Sequence, residues 1–273
     1  MKTIRHKSRG AAVHFLEELL TKLGYTVYVS YYFGLDTKRA IMDFQLKNNL
    51  VVDGIVGLKT WSKLIAAEND FLNHNNKFLA EQDLIDFATK YNLELAAVKS
   101  VNEIESSGKG FLTDGNPKIL FEGHVFWKEL KNRNIDPHTL LNNNSKDVLY
   151  QKWTKKYYLG GTKEYLRLQK AASLKNSKDV HDAAYCSASW GAFQIMGYHY
   201  KSLGYLSIDD FVSKMNLHER EHLNAFGRFL EVNNLIIHLK NKNWAKFARG
   251  YNGSGYKKNK YDEKLEKAYQ KYK

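Results

Sequence analysis

A carboxyl on the apolar face of a helix, close to that helix's end, is the strongest chemical feature of this sequence. Leu93, Ala97, Val98, Val101 and Ile104 recur at helical spacing, which predicts a helix capped by Asn92 and stopped by Gly108. Glu105 lies four residues after Val101 and seven after Val98, on that stripe, whereas Glu103 lies four after Lys99 and faces solvent. Residues two apart on a helix point to nearly opposite sides, so the two carboxyls do not share a cleft. Burial and the negative end of the helix dipole both raise a carboxyl pKa, which keeps Glu105 protonated near neutral pH. Cleavage of a glycosidic bond needs such an acid, tuned to roughly pKa 6, to protonate the leaving oxygen. Taken alone, the pattern more often marks a structural Glu bonded to a backbone amide or an Arg.

Context comes from two later segments, Gly191-Ala192-Phe193-Gln194-Ile195-Met196-Gly197 and Tyr251-Asn252-Gly253-Ser254-Gly255. A helix ending in Glu105-Ser106, then a Gly-x-x-Gln-Ile-Met segment, then a Tyr-Asn-Gly turn, resembles the superfamily of goose-type lysozymes and lytic transglycosylases. From about residue 80 onward the chain is similar to phage N-acetylmuramidase catalytic domains. The matching stretches are Glu105-Ser106, Gly110-Phe111-Leu112-x-Asp114-Gly115, Pro117-Lys118-Ile119-Leu120-Phe121-Glu122-x-His124, Ser189 to Gly197 and Phe247 to Gly253. Gly123 departs from the pattern, standing where Arg is expected between Glu122 and His124, which removes any salt bridge that an Arg would make there.

The resemblance implies that Glu105 is the acid, that Phe193, Gln194, Ile195, Tyr251 and Asn252 line the cleft, and that the substrate is the glycan strand of peptidoglycan. The side-chain chemistry agrees: Gln194 offers donor and acceptor to sugar hydroxyls or N-acetyl groups, while Phe193, Ile195 and Met196 pack. Tyr251-Asn252 next to Gly253 also reads as a plain turn. Glu122 and Asp114 are the remaining carboxyls close to Glu105 in sequence and are candidates for orienting water or stabilising positive charge on the sugar ring. Asp114-Gly115 doubles as a turn signal, which ranks Glu122 first.

The first 68 residues carry a different pattern. Phe33-Gly34-Leu35-Asp36-Thr37 is echoed by Val56-Gly57-Leu58-Lys59-Thr60, each leading into a helical stretch, the first capped by Asp36 or Thr37. Leu23-Gly24-Tyr25, Phe44-Gln45 and Val52-Asp53-Gly54-Ile55-Val56-Gly57-x-x-Thr60-Trp61-x-x-Leu64 resemble the three-helix peptidoglycan-binding module of cell-wall hydrolases. Ser30-Tyr31 departs from the Asp-Gly expected at its first turn. Trp61 and Phe44 are assigned to the small core, and Tyr31, Tyr32 and Asp53 to wall binding, the two tyrosines as sugar-stacking platforms.

A chain of 273 residues with two prolines and no long alternating stretch reads as a mainly α protein of two domains. The expected division is a three-helix module over 1–68, an Asn-rich linker over 69–79 and a larger helical lysozyme-like domain over 80–273, with a small hairpin around Phe111 to Phe121. No apolar run approaches the roughly 20 residues that span a bilayer. The basic start, Lys2 to Arg9, leads to Glu17 and Glu18 rather than to an apolar segment, so no signal peptide is expected. The single cysteine, Cys186, excludes an internal disulfide and fits a reducing cytoplasm. A monomer is expected, with no cofactor.

The formal charge of +13 asks for an anionic partner. Nucleic acid is disfavoured because no nucleic-acid fold motif is present, whereas attraction to an anionic bacterial envelope needs only the charge. The tail from Tyr256 to Lys273 concentrates that charge and keeps one apolar stripe, Leu265, Ala268, Tyr269 and Tyr272, consistent with a docked final helix. His218-Glu219-Arg220-Glu221-His222 matches the H-E-x-x-H zinc pattern. Against a metal, Leu217, Leu223, Phe226 and Leu230 continue an amphipathic helix through it and no third ligand follows at an evident spacing.

These readings converge on a modular phage-type endolysin that hydrolyses the β-1,4 bond between N-acetylmuramic acid and N-acetylglucosamine. It would act from the host cytoplasm after release by a separate membrane-permeabilising protein. The alternatives are a lytic transglycosylase using the same Glu105, a zinc-dependent wall amidase or peptidase, and an inactive wall-binding protein.

Overall fold

The computed structural model describes residues 2–75, 77–106 and 110–273, and the side chains of all of these except 69–75. Ser107 and Gly108, the expected helix stop among them, lie outside the described residues. Contacts divide the chain into two units, Met1–Asn76 and Lys77–Lys273.

The first unit holds three helices, α1 (Ala11–Lys22), α2 (Leu35–Lys47) and α3 (Leu58–Asn75). They close over Val13, Leu16, Leu20, Phe33, Ile41, Phe44, Trp61 and Leu64, all buried. The Trp61 indole N–H donates to the Lys2 carbonyl at 3.1 Å, so its polar edge is satisfied within the core. Buried Glu17 organises the atypical first turn: its carboxylate accepts from the Ser30 amide (2.6 Å), the Ser30 hydroxyl (3.1 Å) and the Thr37 hydroxyl (2.8 Å). Ser30 therefore has a specific partner where Asp-Gly was expected. Thr37 and Asp36 sit inside the first turn of α2, whose N-cap is Gly34. The expected linker continues α3 as helix to Asn75, because no Gly or Pro interrupts the chain between Leu58 and that point.

The second unit is helical around a small sheet. Its elements are α4 (Glu81–Tyr91), α5 (Leu95–Glu105), β1 (Ile119–Phe121), α6 (Gly123–Asn132), α7 (Lys163–Ala172), α8 (Lys178–Cys186), β2 (Ala188–Trp190), β3 (Ile195–Met196), α9 (Ile208–Met215), α10 (Glu219–Val232), α11 (Ile236–Lys240), α12 (Trp244–Asn252) and α13 (Tyr261–Tyr272). The strands run antiparallel in the order β1-β2-β3, with Leu120 opposite Ser189 and Ser189 opposite Met196. The anticipated 111–121 hairpin is reduced to a single bridge between Phe111 and Pro117, since the residues of β1 pair with β2. Asn92 closes α4 in the left-handed conformation, and Glu94 is the N-cap residue of α5. The side-chain amide of Asn tolerates that conformation well, so the position serves a C-terminus as readily as an N-cap.

The C-terminal helix α13 packs along α5. Leu265, Ala268 and Tyr269 are buried in that contact region of the core. Both ends of α5 are tied to it: the Tyr269 hydroxyl donates to Glu94 (2.5 Å), and Lys271 (2.7 Å) and the Tyr272 hydroxyl (2.5 Å) reach Glu103. The basic tail therefore fixes the helix that carries Glu105.

Candidate active site

Glu105 ends α5 and lines a cavity of about 350 Å³ with Phe193, Gln194, Ile195, Met196, Tyr251 and Asn252. Three elements bring these residues together. α5 supplies the carboxyl, β3 and the turn entering it supply residues 193–196, and the last turn of α12 supplies Tyr251 and Asn252. The Asn252 side-chain amide donates to Glu105 Oε1 at 3.0 Å.

Burial pushes the Glu105 pKa up to about 7, outweighing the Asn252 hydrogen bond and the more distant Lys264 charge, both of which favour the carboxylate. Glu103, exposed and paired with Lys271 and Tyr272, has its pKa lowered. The two carboxyls of one helix turn are thus shifted in opposite directions, so that near neutral pH Glu105 keeps a protonated fraction while Glu103 is ionised.

Tyr251 is packed among Phe226, Phe229 and Phe247, with the Phe247 ring stacked at 5.9 Å. Its hydroxyl donates to the Phe193 carbonyl at 2.6 Å, locking α12 to the turn before β3. Gln194 adopts a left-handed backbone (φ 48°), uncommon for a residue other than Gly. Its amide group donates to the Gly191 (2.8 Å) and Lys118 (3.2 Å) carbonyls and accepts from the Ser189 hydroxyl (2.8 Å). Both amide hydrogens are spent on the protein, so Gln194 shapes the cavity wall, and only its carbonyl oxygen retains capacity for a ligand.

Glu122 and Asp114 do not line this cavity. Glu122 accepts from the Tyr158 hydroxyl at 2.5 Å and lies 3.4 Å from His124 Nδ1. Asp114 is exposed and accepts from the Asn116 amide at 3.1 Å, stabilising its turn. Gly123 also acquires a reason: a Cβ there would lie 2.4 Å from the Tyr150 ring and 2.6 Å from the Val148 carbonyl, so no Arg fits. In the first unit, Tyr31 is exposed and stacked on His14 at 4.6 Å, and Arg9 lies over the Tyr32 ring. Asp53 accepts from Gln45 Nε2 (3.0 Å) and the Ile55 amide (2.8 Å), holding the Asp53-Gly54-Ile55 turn against α2.

The H-E-x-x-H segment is engaged elsewhere. His218 is the N-cap of α10, accepting from the Arg220 amide. Buried His222 uses both ring nitrogens, Nδ1 accepting from the Ala192 amide (3.1 Å) and Nε2 donating to the Met215 carbonyl (2.7 Å). Burial holds its pKa down at about 4, so it stays neutral. Both Glu219 oxygens accept backbone amides, from Gly110 (2.5 Å) and Leu79 (3.0 Å). Gly191, at φ 72°, passes so close to His222 that a Cβ would lie 2.6 Å from the ring. The motif braces the cavity wall instead of presenting ligands. Among the described residues, His181, Asp182 and Asp209 have metal-ligand spacing, but the Lys178 ammonium already reaches Asp182 (3.0 Å) and Asp209 (3.1 Å).

Sequence reasoning missed Tyr198, His199, Phe229 and Tyr261, which also line the cavity. Tyr198 and His199 directly follow the Gln194-Ile195-Met196-Gly197 run, which was the available signal. Burial lowers the His199 pKa, leaving a neutral ring at the cavity. Among the described residues no helix is long and apolar enough to cross a membrane.

With this geometry in place, comparison with known proteins places both units. Residues 94–273 match the N-acetylmuramidase family model and residues 9–64 match that of a peptidoglycan binding domain. A search of curated proteins found no match. Among solved structures, the chain is similar to the crystal structure of Burkholderia AP3 phage endolysin. The two are 39% identical over 99% of each chain, with a TM-score of 0.66.

Proposed function

Because the chain belongs to the N-acetylmuramidase family, we propose that Glu105 is the general acid that cleaves the β-1,4 bond between N-acetylmuramic acid and N-acetylglucosamine in peptidoglycan. Peptidoglycan is the substrate to which both family matches point, and the protein is a peptidoglycan-cleaving enzyme. The observation that carries the assignment to Glu105 is its carboxyl in the cavity wall, raised to about pKa 7 and held by Asn252 at 3.0 Å.

A protonated Glu105 delivers its proton to the glycosidic oxygen as the bond to the anomeric carbon breaks, so that the sugar leaves as a neutral alcohol. The resulting carboxylate is stabilised by the Asn252 amide and the Lys264 charge. It then accepts a proton from an attacking water. Neither Glu122 nor Asp114 lines the cavity, which favours a reaction centred on one carboxyl. That feature also suits the second reading, a lytic transglycosylase, in which Glu105 takes the proton from the sugar's own 6-hydroxyl and a 1,6-anhydro ring closes. A zinc amidase is disfavoured, because His222 and Glu219 would have to abandon four hydrogen bonds to the backbone. An inactive wall-binding protein has no use for a half-buried, raised-pKa acid in a cavity wall.

We assign the protein the role of a phage endolysin acting in host lysis, in keeping with its likeness to the AP3 phage endolysin along the whole chain. The first unit would then hold the enzyme on the wall. Mass spectrometry of muropeptides released from purified sacculi separates the readings. Reducing N-acetylmuramic acid ends are expected; anhydro ends would establish the transglycosylase, and cleaved amides alone would overturn the role of Glu105.

A further inference from the structure

The segment between Val148 and α7 carries a surface feature that the cleavage reaction leaves unused. It reads Gln151-Lys152-Trp153-Thr154-Lys155-Lys156-Tyr157-Tyr158-Leu159-Gly160-Gly161. Of the five tryptophans in the protein, Trp61, Trp127, Trp190 and Trp244 are at most 6% exposed, while Trp153 is 59% exposed. Leu159 and Leu166 are also more than half exposed. Burying the exposed parts of an indole and two leucines releases several kcal/mol to a partner that covers all three.

The segment is held firmly. The Tyr158 hydroxyl donates to Glu122 at 2.5 Å, and the Trp153 indole lies against that same hydroxyl. The Leu159 and Gly160 amides donate to Glu164 Oε1 at 2.7 and 3.0 Å. Buried Glu164 is in turn paired with Arg167 at 2.7 Å. The aromatic and aliphatic groups therefore stand out from a braced backbone and need little further ordering on contact.

Charge selects the partner. Lys152, Lys155, Lys156 and Lys163 surround these groups in sequence, and among the described residues none of the four forms an ion pair. Lys155 and Lys156 instead lie over the rings of Trp153 and Tyr157, at 5.8 and 5.4 Å. An exposed indole seated on the Tyr158 hydroxyl, next in sequence to Leu159 and with the Lys155 ammonium over its ring, suits a bilayer interface, where the ring sits at headgroup level and the ammonium groups meet anionic lipid. A glycan strand would use the indole but would leave Leu159 and Leu166 in water.

We propose that residues 152–166 form a docking surface for an anionic phospholipid bilayer, separate from the cavity at Glu105. The test uses the full-length protein with vesicles of phosphatidylglycerol and phosphatidylcholine, against vesicles of phosphatidylcholine alone. Co-sedimentation with the anionic vesicles is expected, with a blue shift and reduced acrylamide quenching of the tryptophan emission, both absent in Trp153→Phe. Replacing Lys152, Lys155 and Lys156 by Ser should weaken partitioning about fivefold per lysine. Replacing the exposed Lys240, Lys246 and Lys267 provides the equal-charge control and should have a smaller effect. Absence of binding to anionic vesicles would overturn the proposal. So would equal effects of the two triple substitutions, which would assign the attraction to overall charge, or loss of sacculus binding without any vesicle binding, which would assign the surface to wall polymer. None of these readouts depends on turnover, so the outcome is independent of the role of Glu105.

Discussion

The Asn252 amide hydrogen-bonds the Glu105 carboxyl across the cavity, joining the last turn of α12 to the last turn of α5. A donor favours the ionised acid, so this contact opposes the burial that raises the Glu105 pKa. Asn252→Ala should therefore push that pKa higher and move the alkaline limb of the pH–rate profile upward. Turnover should fall by roughly ten- to hundredfold, because the carboxyl loses the group that orients it. A limb that moves downward would mean that Asn252 acts on Glu105 in some other way.

Glu105→Gln should lower the rate of wall hydrolysis by about a thousandfold with the fold retained. Glu103→Gln should stay within about threefold of the parent, since its exposed ion pair with Lys271 contributes little. Turbidity loss of a sacculus suspension measures both. Equal losses in the two variants would contradict the opposite placement of these side chains.

Stability offers a check on the same carboxyl without turnover. A pKa raised from 4.5 to about 7 means that the folded state holds a proton which the unfolded chain has already released. Stability is therefore full below about pH 4.5, falls as pH rises, and has lost this contribution above about pH 7. Glu105→Gln removes the titrating group, so the variant should be more stable than the parent by about 1–3 kcal/mol at pH 8, with no such gain at pH 4. Thermal unfolding at the two pH values decides it, and a gain confined to pH 4 would reverse the assigned direction.

The parts of this architecture that were readable from sequence are those set by local periodicity. The faces of Glu103 and Glu105 follow from helical spacing, and the docking of α13 follows from the Leu265, Ala268 and Tyr269 stripe. Long-range partners were not readable. Nothing local says that Gln194 spends its amide on Gly191 and Lys118, that Glu17 is bonded to Ser30 and Thr37, or that Tyr261 reaches the cavity. Asn92 fits either end of a helix by type, and only the neighbouring helix decides which. The Gly123 departure looked like a lost salt bridge because the space filled by Tyr150 is 27 residues away in sequence.

The bracing role of the H-E-x-x-H segment predicts a structural phenotype. Glu219→Gln places an amide where a backbone N–H now finds an acceptor and should cost about 2 kcal/mol. His222→Phe strands the Ala192 amide and the Met215 carbonyl at a similar or greater cost. EDTA should leave wall hydrolysis by the parent protein unchanged. Inactivation by EDTA that added zinc reverses would show instead that these side chains leave their backbone partners to bind metal.

The first unit has its own closed core, so it can be removed or studied separately. Linking a wall-binding unit to an enzyme raises the effective concentration of the second contact, an advantage that matters on an insoluble polymer and vanishes on a short soluble glycan. Deleting residues 1–76 should therefore weaken sacculus binding at least tenfold while leaving cleavage of soluble glycan fragments within about threefold. Salt distinguishes shape recognition from charge. Attraction due to net positive charge fades as the Debye length shrinks to about 3 Å at 1 M, whereas recognition by hydrogen bonds and stacking, which we propose for Tyr31 and Tyr32, persists. Residues 1–76 alone should co-sediment with purified sacculi at both low and high salt. Sedimentation that disappears at high salt would reduce the unit to a charged tether, and failure at low salt as well would remove its wall-binding role.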